Sequence, residues 1–241
     1  MPAAAPVAAA ATRTSSSDRR ARAGVGAPGV RAVIVSCVSA AYAVISDIHG
    51  NARALDAVLA ELKTFGIEDG IVLGDVAQGG DEPAAVLDRL AGLGWPVILG
   101  NADHLLLEVP THTNEVLTSE QLARREWSLS QLEERHLDQI RSFHPTYERD
   151  GALAFHGSPR HFEDILLPDT EDTSPWNVDG HALLLGGHTH FQWTTRVREA
   201  TYVNPGSVGL PVYRWNDRRP LDHAEYAIVH GSGVEFRRCR V

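Results

Sequence analysis

The chain has 241 residues, of which 43% are hydrophobic and 22% charged, and a formal net charge of −9. These proportions lie near the averages for soluble globular proteins and allow one domain with a full core. The acidic balance argues against a nonspecific nucleic-acid binder, which draws its affinity from Lys and Arg on phosphates, but bound metal ions can still supply local positive charge for a small phosphorylated substrate. Cys37 and Cys239 lack both the dense pairing of a disulfide scaffold and the CxxC metal spacing. They read as free thiols in a reducing compartment, so a cytoplasmic location is expected. No apolar run approaches the roughly 20 residues of a bilayer span. The sequence leaves the oligomeric state open, a homodimer included.

Residues 1 to about 30 are rich in Ala, Arg, Ser, Gly and Pro and almost devoid of large apolar residues, which predicts a disordered extension, placed over 1–40 ahead of a single domain over 41–241. Arg31 and the apolar run after it look like a secretory signal, but cleavage near Ala43 would cut into a strand that the site needs. That strand is Ala43-Val44-Ile45-Ser46, and a helix follows in which Leu55, Val58, Leu59 and Leu62 recur at i, i+3, i+4 and i+7. The segment from Gly70 to Asp75 predicts a second strand, Pro83 the first turn of a second helix with Val86, Leu87 and Leu90 inward, and the segment from Trp95 to Asn101 a third strand. The βαβαβ order predicts a parallel sheet, with ligands at the carboxyl ends of its strands. Residues 104–150 predict an insertion beside the site: a loop at Pro110, then a helix with a capping box of Ser128 and Gln131 ahead of Leu132, Leu137 and Ile140. Beyond it the chain turns to strands and closes on a hairpin at Gly231-Ser232-Gly233.

The chemistry-bearing residues fall at strand ends. Asp47-x-His49 alone is a weak signal. Gly74-Asp75, Gly100-Asn101, His156-Gly157 and Gly187-His188-Thr189-His190 repeat its design of an apolar strand, a glycine that permits close backbone approach, and a ligand. Carboxylate, amide oxygen and imidazole suit Mn, Fe or Zn better than Ca, and no cysteine is placed for a thiolate site. Seven such groups exceed one transition metal and match two divalent ions sharing a carboxylate.

The order D-x-H, G-D, G-N-x-D, H-G, G-H-T-H and N-P-G-S resembles the calcineurin-like metallophosphoesterase superfamily from Ala43 to about Leu210. His156-Gly157-Ser158-Pro159-Arg160 and Asn204-Pro205-Gly206-Ser207 look most like its small YfcE-type phosphodiesterases. The resemblance implies an α/β fold, specifically a four-layer α/β/β/α sandwich. It implies a first metal on Asp47, His49 and His190, a second on Asn101, His156 and His188, and Asp75 between them, with Mn the foremost metal and Fe, Zn or Ni alternatives. It also implies hydrolysis of phosphodiesters or small phosphomonoesters by in-line attack of a metal-bridging hydroxide, with Asn101 steadying the phosphoryl oxygens.

The sequence departs from the superfamily at Ala102, where many members carry a His that protonates the leaving oxygen. Asp103 holds the acidic position that would orient such a His, and His104 is a displaced candidate donor. Without a donor, aryl esters should outpace alkyl ones. Arg160 is a candidate substrate contact. Asn204 and Ser207 should close a tight turn behind the Gly-His-Thr-His loop, and His112, His144, His181, His223 and His230 match no ligand slot. The competing readings are a non-catalytic scaffold on the same fold, a protein Ser/Thr phosphatase, which needs a donor for alkoxide leaving groups, and a nuclease, which needs a basic groove.

Overall fold

The computed structural model describes residues 40–108, 117–170, 173, 176–214, 216–231 and 233–241. The expected extension, apart from Ala40, lies outside these residues, as do Cys37, Pro110 and His112. In chain order the elements are β1 (Tyr42–Ile45), α1 (Ala52–Thr64), β2 (Gly70–Val72), α2 (Pro83–Leu93), α3 (Asn101–Leu107), α4 (Ser119–Ser130), α5 (Glu134–Arg141), β3 (Tyr147–Arg149), β4 (Ala152–Ala154), β5 (Leu183–Leu185), β6 (Gln192–Val197), β7 (Ala200–Pro205), β8 (Val212–Arg214), β9 (Asp217–Pro220), β10 (His223–His230) and β11 (Gly233–Arg240).

Two sheets carry the fold. The first has the order β11-β10-β1-β2 and the second β3-β4-β5-β7-β6; β8 and β9 form a separate ribbon. Alternation along each strand sorts the core into layers, because successive side chains leave a strand on opposite faces. Ala43 and Ile45 of β1 pack with Leu55, Val58 and Leu62 of α1 and with Val86, Leu87 and Leu90 of α2, while Tyr42 and Val44 pack with Ala152, Ala154, Leu183, Leu185 and Val203 of the second sheet. Each fully buried Leu or Val contributes roughly 1.5–3 kcal/mol, so the α1 stripe alone anchors that helix to the sheet. The outer face of the second sheet, with Phe155, Leu184 and Tyr202, is covered by Leu166, Trp176 and Val178. These three lie between β4 and β5, where no helix occurs among the described residues. The chain is therefore α/β, with helices over the first sheet and irregular backbone over the far face of the second.

Four expectations need correction. The first sheet is mixed: β1 pairs parallel with β2 but antiparallel with β10, because the C-terminal hairpin returns along the open edge of β1. The third strand shrinks to parallel bridges of Val97 with Val72 and of Ile98 with His144, although Ile98 N still donates to Val72 O at 2.8 Å and so extends the parallel edge. The capping box belongs to Thr118 and Gln121 at the start of α4, and a second one joins Glu133 and His136 at α5; Ser128 is buried in the last turn of α4, and Gln131 follows that helix. A hydroxyl inside a helix cannot cap its start, since the backbone N–H groups it would accept from are already bonded. Finally, the helical segment begins at Asn101 and not at 104, and its last residues form β3, which pairs with β4. Among the described residues no helix is long and apolar enough to cross a membrane.

Candidate metal centre

The parallel registers β1·β2 and β4·β5·β7 place several strand ends along one edge of the two sheets. Asp47 follows β1, Asp75 follows β2, His156 follows β4 and His188 follows β5. Backbone bonds lace these tips together: Asp47 N donates to Gly74 O at 3.0 Å, Gly187 N to His156 O at 2.8 Å and Gly209 N to Asp47 O at 3.0 Å.

Glycine permits this crowding by close approach. A Cβ on Gly100 would stand 2.1 Å from Asp75 Oδ1, and one on Gly187 would stand 2.1 Å from Ser46 Oγ. The unusual backbone angles fall mostly on the ligands themselves: φ is 54° at Asp47, 49° at His49, 53° at Asp75, 69° at His188 and 60° at His190. A left-handed conformation costs a non-glycine residue about 1 kcal/mol or more, and such strain clusters where side chains must converge for function. Five strained residues at one edge turn five side chains toward one point.

The side chains meet in two groups. Asp47, His49, Asp75 and His190 offer atoms within 4.8 Å of one another, and so do Asp75, His156 and His188, so Asp75 belongs to both. Asp75 Oδ2 lies 3.8 Å from His49 Nε2 and 3.4 Å from His156 Nε2, while Asp75 Oδ1 is held by the Ala102 backbone N–H at 2.8 Å. The Asn101 Oδ1 stands 3.0 Å from His156 Nε2, which brings the amide to the second group. All seven expected ligands therefore converge.

Tautomers follow from the second bond of each ring. His49 Nδ1 faces Gln78 O at 2.6 Å, His156 Nδ1 faces Leu73 O at 2.7 Å and His190 Nδ1 faces Leu210 O at 3.0 Å. A carbonyl can only accept, so each Nδ1 carries the proton of the neutral ring and each Nε2 presents a lone pair. The Nε2 atoms of His49 and His190 then face each other at 3.0 Å, two lone pairs that a cation between them would reconcile. Asp47 Oδ1 is buried with no hydrogen bond among the described residues and with His190 Nε2 at 3.3 Å, while its Oδ2 accepts from Ser46 Oγ at 2.6 Å and from the His188 backbone N–H at 3.1 Å. A buried carboxylate oxygen left bare is costly unless an ion meets it. The donor set fits divalent transition metals.

The profile of the calcineurin-like phosphoesterase superfamily domain matches residues 41–233. The chain belongs to that superfamily. It is 27% identical to the Methanocaldococcus jannaschii protein MJ0912 over 227 residues, which cover 85% of this chain and 88% of the relative. Among solved structures, protein PH1004 of Pyrococcus horikoshii matches with a TM-score of 0.71 at 23% identity, over 83% of this chain and 88% of its own. A metallophosphoesterase from Sphaerobacter thermophilus matches with a TM-score of 0.65 at 22% identity, over 83% of this chain and 89% of its own.

As in any cluster of acids and imidazoles, burial and charge compete within this superfamily site. Burial opposes the Asp47 carboxylate, yet the His190 imidazole outweighs it and lowers the pKa. Asp75 is likewise lowered against burial by His156. Burial disfavours a charged His156, but the Asp75 carboxylate lifts its pKa to about 9. For His188, burial and the neighbouring His156 act together and push it down to about 4. A proton on His156 thus occupies, in the metal-free site, the place of a cation.

The departures from the superfamily pattern have structural consequences. Asp103 does not orient His104: it is fully buried and accepts from the backbone N–H groups of Val76, at 3.0 Å, and Ala77, at 3.2 Å. It pins the loop that follows Asp75. His104 lies one helical turn beyond Asn101 and packs against the Phe162 ring, with centroids 4.8 Å apart. Arg160 is exposed on the loop after β4, where its backbone N–H bonds Ser158 Oγ at 3.0 Å. Asn204 and Ser207 act as expected: Asn204 Nδ2 donates to Gly187 O at 2.6 Å, and Ser207 Oγ to Asp47 O at 2.7 Å. The residues that sequence reasoning missed work through backbone atoms, the carbonyls of Leu73, Gln78 and Leu210 and the Ala102 N–H, for which side-chain identity gives no signal.

Proposed function

We propose that the chain hydrolyses phosphodiesters or small phosphomonoesters at two divalent cations, held by Asp47, His49 and His190 on one side and by Asn101, His156 and His188 on the other, with Asp75 common to both. The observation that carries this reading is the position of Asp75 Oδ2, 3.8 Å from His49 Nε2 and 3.4 Å from His156 Nε2, within both ligand groups. When bound, such a pair of ions, Mn foremost and Fe, Zn or Ni as alternatives, supplies Lewis acidity toward water and the phosphoryl oxygens. The protein does the rest by placement. Backbone carbonyls hold three imidazoles in one tautomer, the Ala102 N–H fixes the roll of the Asp75 carboxylate, and the Asn101 Nδ2 remains to donate to a phosphoryl oxygen. His104, one helical turn beyond Asn101 on α3, is the candidate proton donor to a leaving oxygen, and Arg160 is a candidate contact for substrate.

The formal net charge of −9 supports a small substrate over a nucleic acid, and the completeness of the ligand set supports an enzyme over a scaffold. Metal-stripped protein reloaded in turn with Mn, Fe, Zn or Ni should cleave at least one of bis-p-nitrophenyl phosphate, p-nitrophenyl phosphate, 2',3'-cyclic AMP and diadenosine tetraphosphate. No turnover with any metal would sink the reading in favour of the scaffold.

A further inference from the structure

One buried hydroxyl ties together two of the three side chains assigned to the first cation position. Ser207 is fully buried. Its Oγ donates to Asp47 O at 2.7 Å and accepts from the Leu210 backbone N–H at 2.7 Å. The directions are forced, because a carbonyl can only accept and an amide N–H can only donate. Leu210 in turn offers the carbonyl that His190 Nδ1 faces at 3.0 Å.

The surroundings give that hydroxyl its leverage. Asp47 holds φ at 54°, and left-handed backbone at a non-glycine residue persists only where its neighbours over-determine it. The turn after β7 supplies those neighbours: Val208 N donates to Ser46 O at 2.9 Å and Gly209 N to Asp47 O at 3.0 Å. It is pressed against the Asp47-Ile48-His49 backbone, for a Cβ on Gly209 would stand 2.0 Å from Ile48 O. The turn is itself anchored from behind, where Glu225 N of β10 donates to Ser207 O at 2.9 Å and Gly206 N donates to Asn204 Oδ1 at 3.0 Å. None of these anchoring bonds uses the Ser207 hydroxyl, so they outlast its removal. What is lost is one tie on Asp47 O and the acceptor that fixes Leu210, whose carbonyl aims His190.

The second position has other supports. Leu73 O fixes the His156 ring at 2.7 Å, and the Ala102 N–H holds Asp75 Oδ1 at 2.8 Å. His188 touches the first arrangement through its backbone N–H, on Asp47 Oδ2 at 3.1 Å, while its ring Nδ1 lies 3.2 Å from His156 Nε2.

We propose that Ser207 is a positioning residue for the first cation position: through Asp47 O and Leu210 N it sets the aim of the Asp47 carboxylate and the His190 imidazole, and it leaves the second position to its own supports. The assignment rests on the two-cation reading of the centre. Groups that orient metal ligands in this way are worth about 10- to 100-fold in metal affinity.

Calorimetric titration of metal-free protein with Mn reads both positions without turnover. The wild type should take up two ions. Ser207→Ala should bind one ion with wild-type affinity and the other at least tenfold more weakly, or about 1.4 kcal/mol, and Ser207→Thr, which keeps the hydroxyl, should recover part of the loss. The electron paramagnetic resonance spectrum at one Mn per chain identifies the position that remains: that of Ser207→Ala should match His190→Ala and differ from His188→Ala. Two ions at wild-type affinity in Ser207→Ala overturn the proposal. So do equal weakening of both ions, which assigns the residue to the fold at large, a residual spectrum that matches His188→Ala, and a Ser207→Thr no tighter than Ser207→Ala. A single ion in the wild type overturns the proposal together with the two-cation reading. If uptake follows the expected pattern but the wild type cleaves no phosphoester with any metal, the phosphoesterase reading falls and the role of Ser207 stands.

Discussion

The strand-end edge and the helical segment over residues 101–141 meet at Asn101 but are built on opposite terms. At the edge, buried ligands sit in left-handed backbone, glycines stand in contact with their neighbours' carboxylates, and backbone carbonyls aim the imidazoles. In the segment, α4 has a single buried residue, Ser128, and α5 only His136 and Ile140. Much of the rest is exposed charge, such as Arg141 with Glu134 and Asp138. The contrast teaches that the candidate metal ligands stand on strained, closely packed backbone, while the segment beside them is lightly anchored and solvated. The two regions should answer mutation differently.

The largest effect is expected from a methyl group at the edge. Gly100→Ala places a Cβ 2.1 Å from Asp75 Oδ1 and 2.3 Å from its backbone N. It should cost about 3 kcal/mol of stability, as overpacking against fixed backbone does, and weaken metal uptake as well. Urea melts of the metal-free and Mn-loaded protein measure both, and a neutral result would break the picture of a rigid edge.

His104 tests the segment. If it donates the leaving-group proton, His104→Ala should slow alkyl phosphoesters about 100-fold and p-nitrophenyl esters much less, because a good leaving group needs no proton. The wild type should also cleave aryl esters faster than alkyl ones. Equal loss on both substrates would assign His104 to packing against Phe162 and leave the proton donor elsewhere.

The pH dependence of the metal-free protein sharpens the edge further. The folded pKa of His156 is raised from the ordinary 6.5 to about 9 by the Asp75 carboxylate against the pull of burial. A raised folded pKa stabilises below the unfolded value, so this contribution is complete below pH 6.5 and is lost as pH rises through about 9. His188, lowered to about 4, acts only below 6.5. The urea midpoint of chelator-treated protein should therefore fall between pH 6.5 and 9, while Mn affinity rises over the same interval as the proton that competes with the ion leaves. A flat midpoint would remove His156 as the proton's holder. The smallest effect belongs to the segment: Arg141→Ala should change stability by less than about 0.5 kcal/mol, since its ion pairs with Glu134 and Asp138 are solvated.

The same contrast explains what could be read from the sequence. The seven candidate ligands were legible because they fall in short motifs at or just past the ends of apolar runs, five of them beside a glycine, and that pattern is local. The α/β class followed from the same alternation. The mixed pairing of β1 was not legible, because β10 arrives from nearly 180 residues away and no local pattern names its partner. The Ser128 capping box failed because Thr118 and Gln121 offer the same signature ten residues earlier, and packing of the hydroxyl inward decided between them. Asp103 holds the acidic position that would orient a histidine at 102, and with Ala102 there it accepts from the backbone of Val76 and Ala77, a role that only the fold reveals.

The central claim is that Asp75 joins two cation sites into one centre, and metal analysis of dialysed wild-type and Asp75→Asn protein after Mn loading tests it most directly. The account predicts two ions per wild-type chain, and in Asp75→Asn at most one ion and no measurable turnover. A single ion in the wild type, or two ions and substantial activity retained in Asp75→Asn, would contradict it.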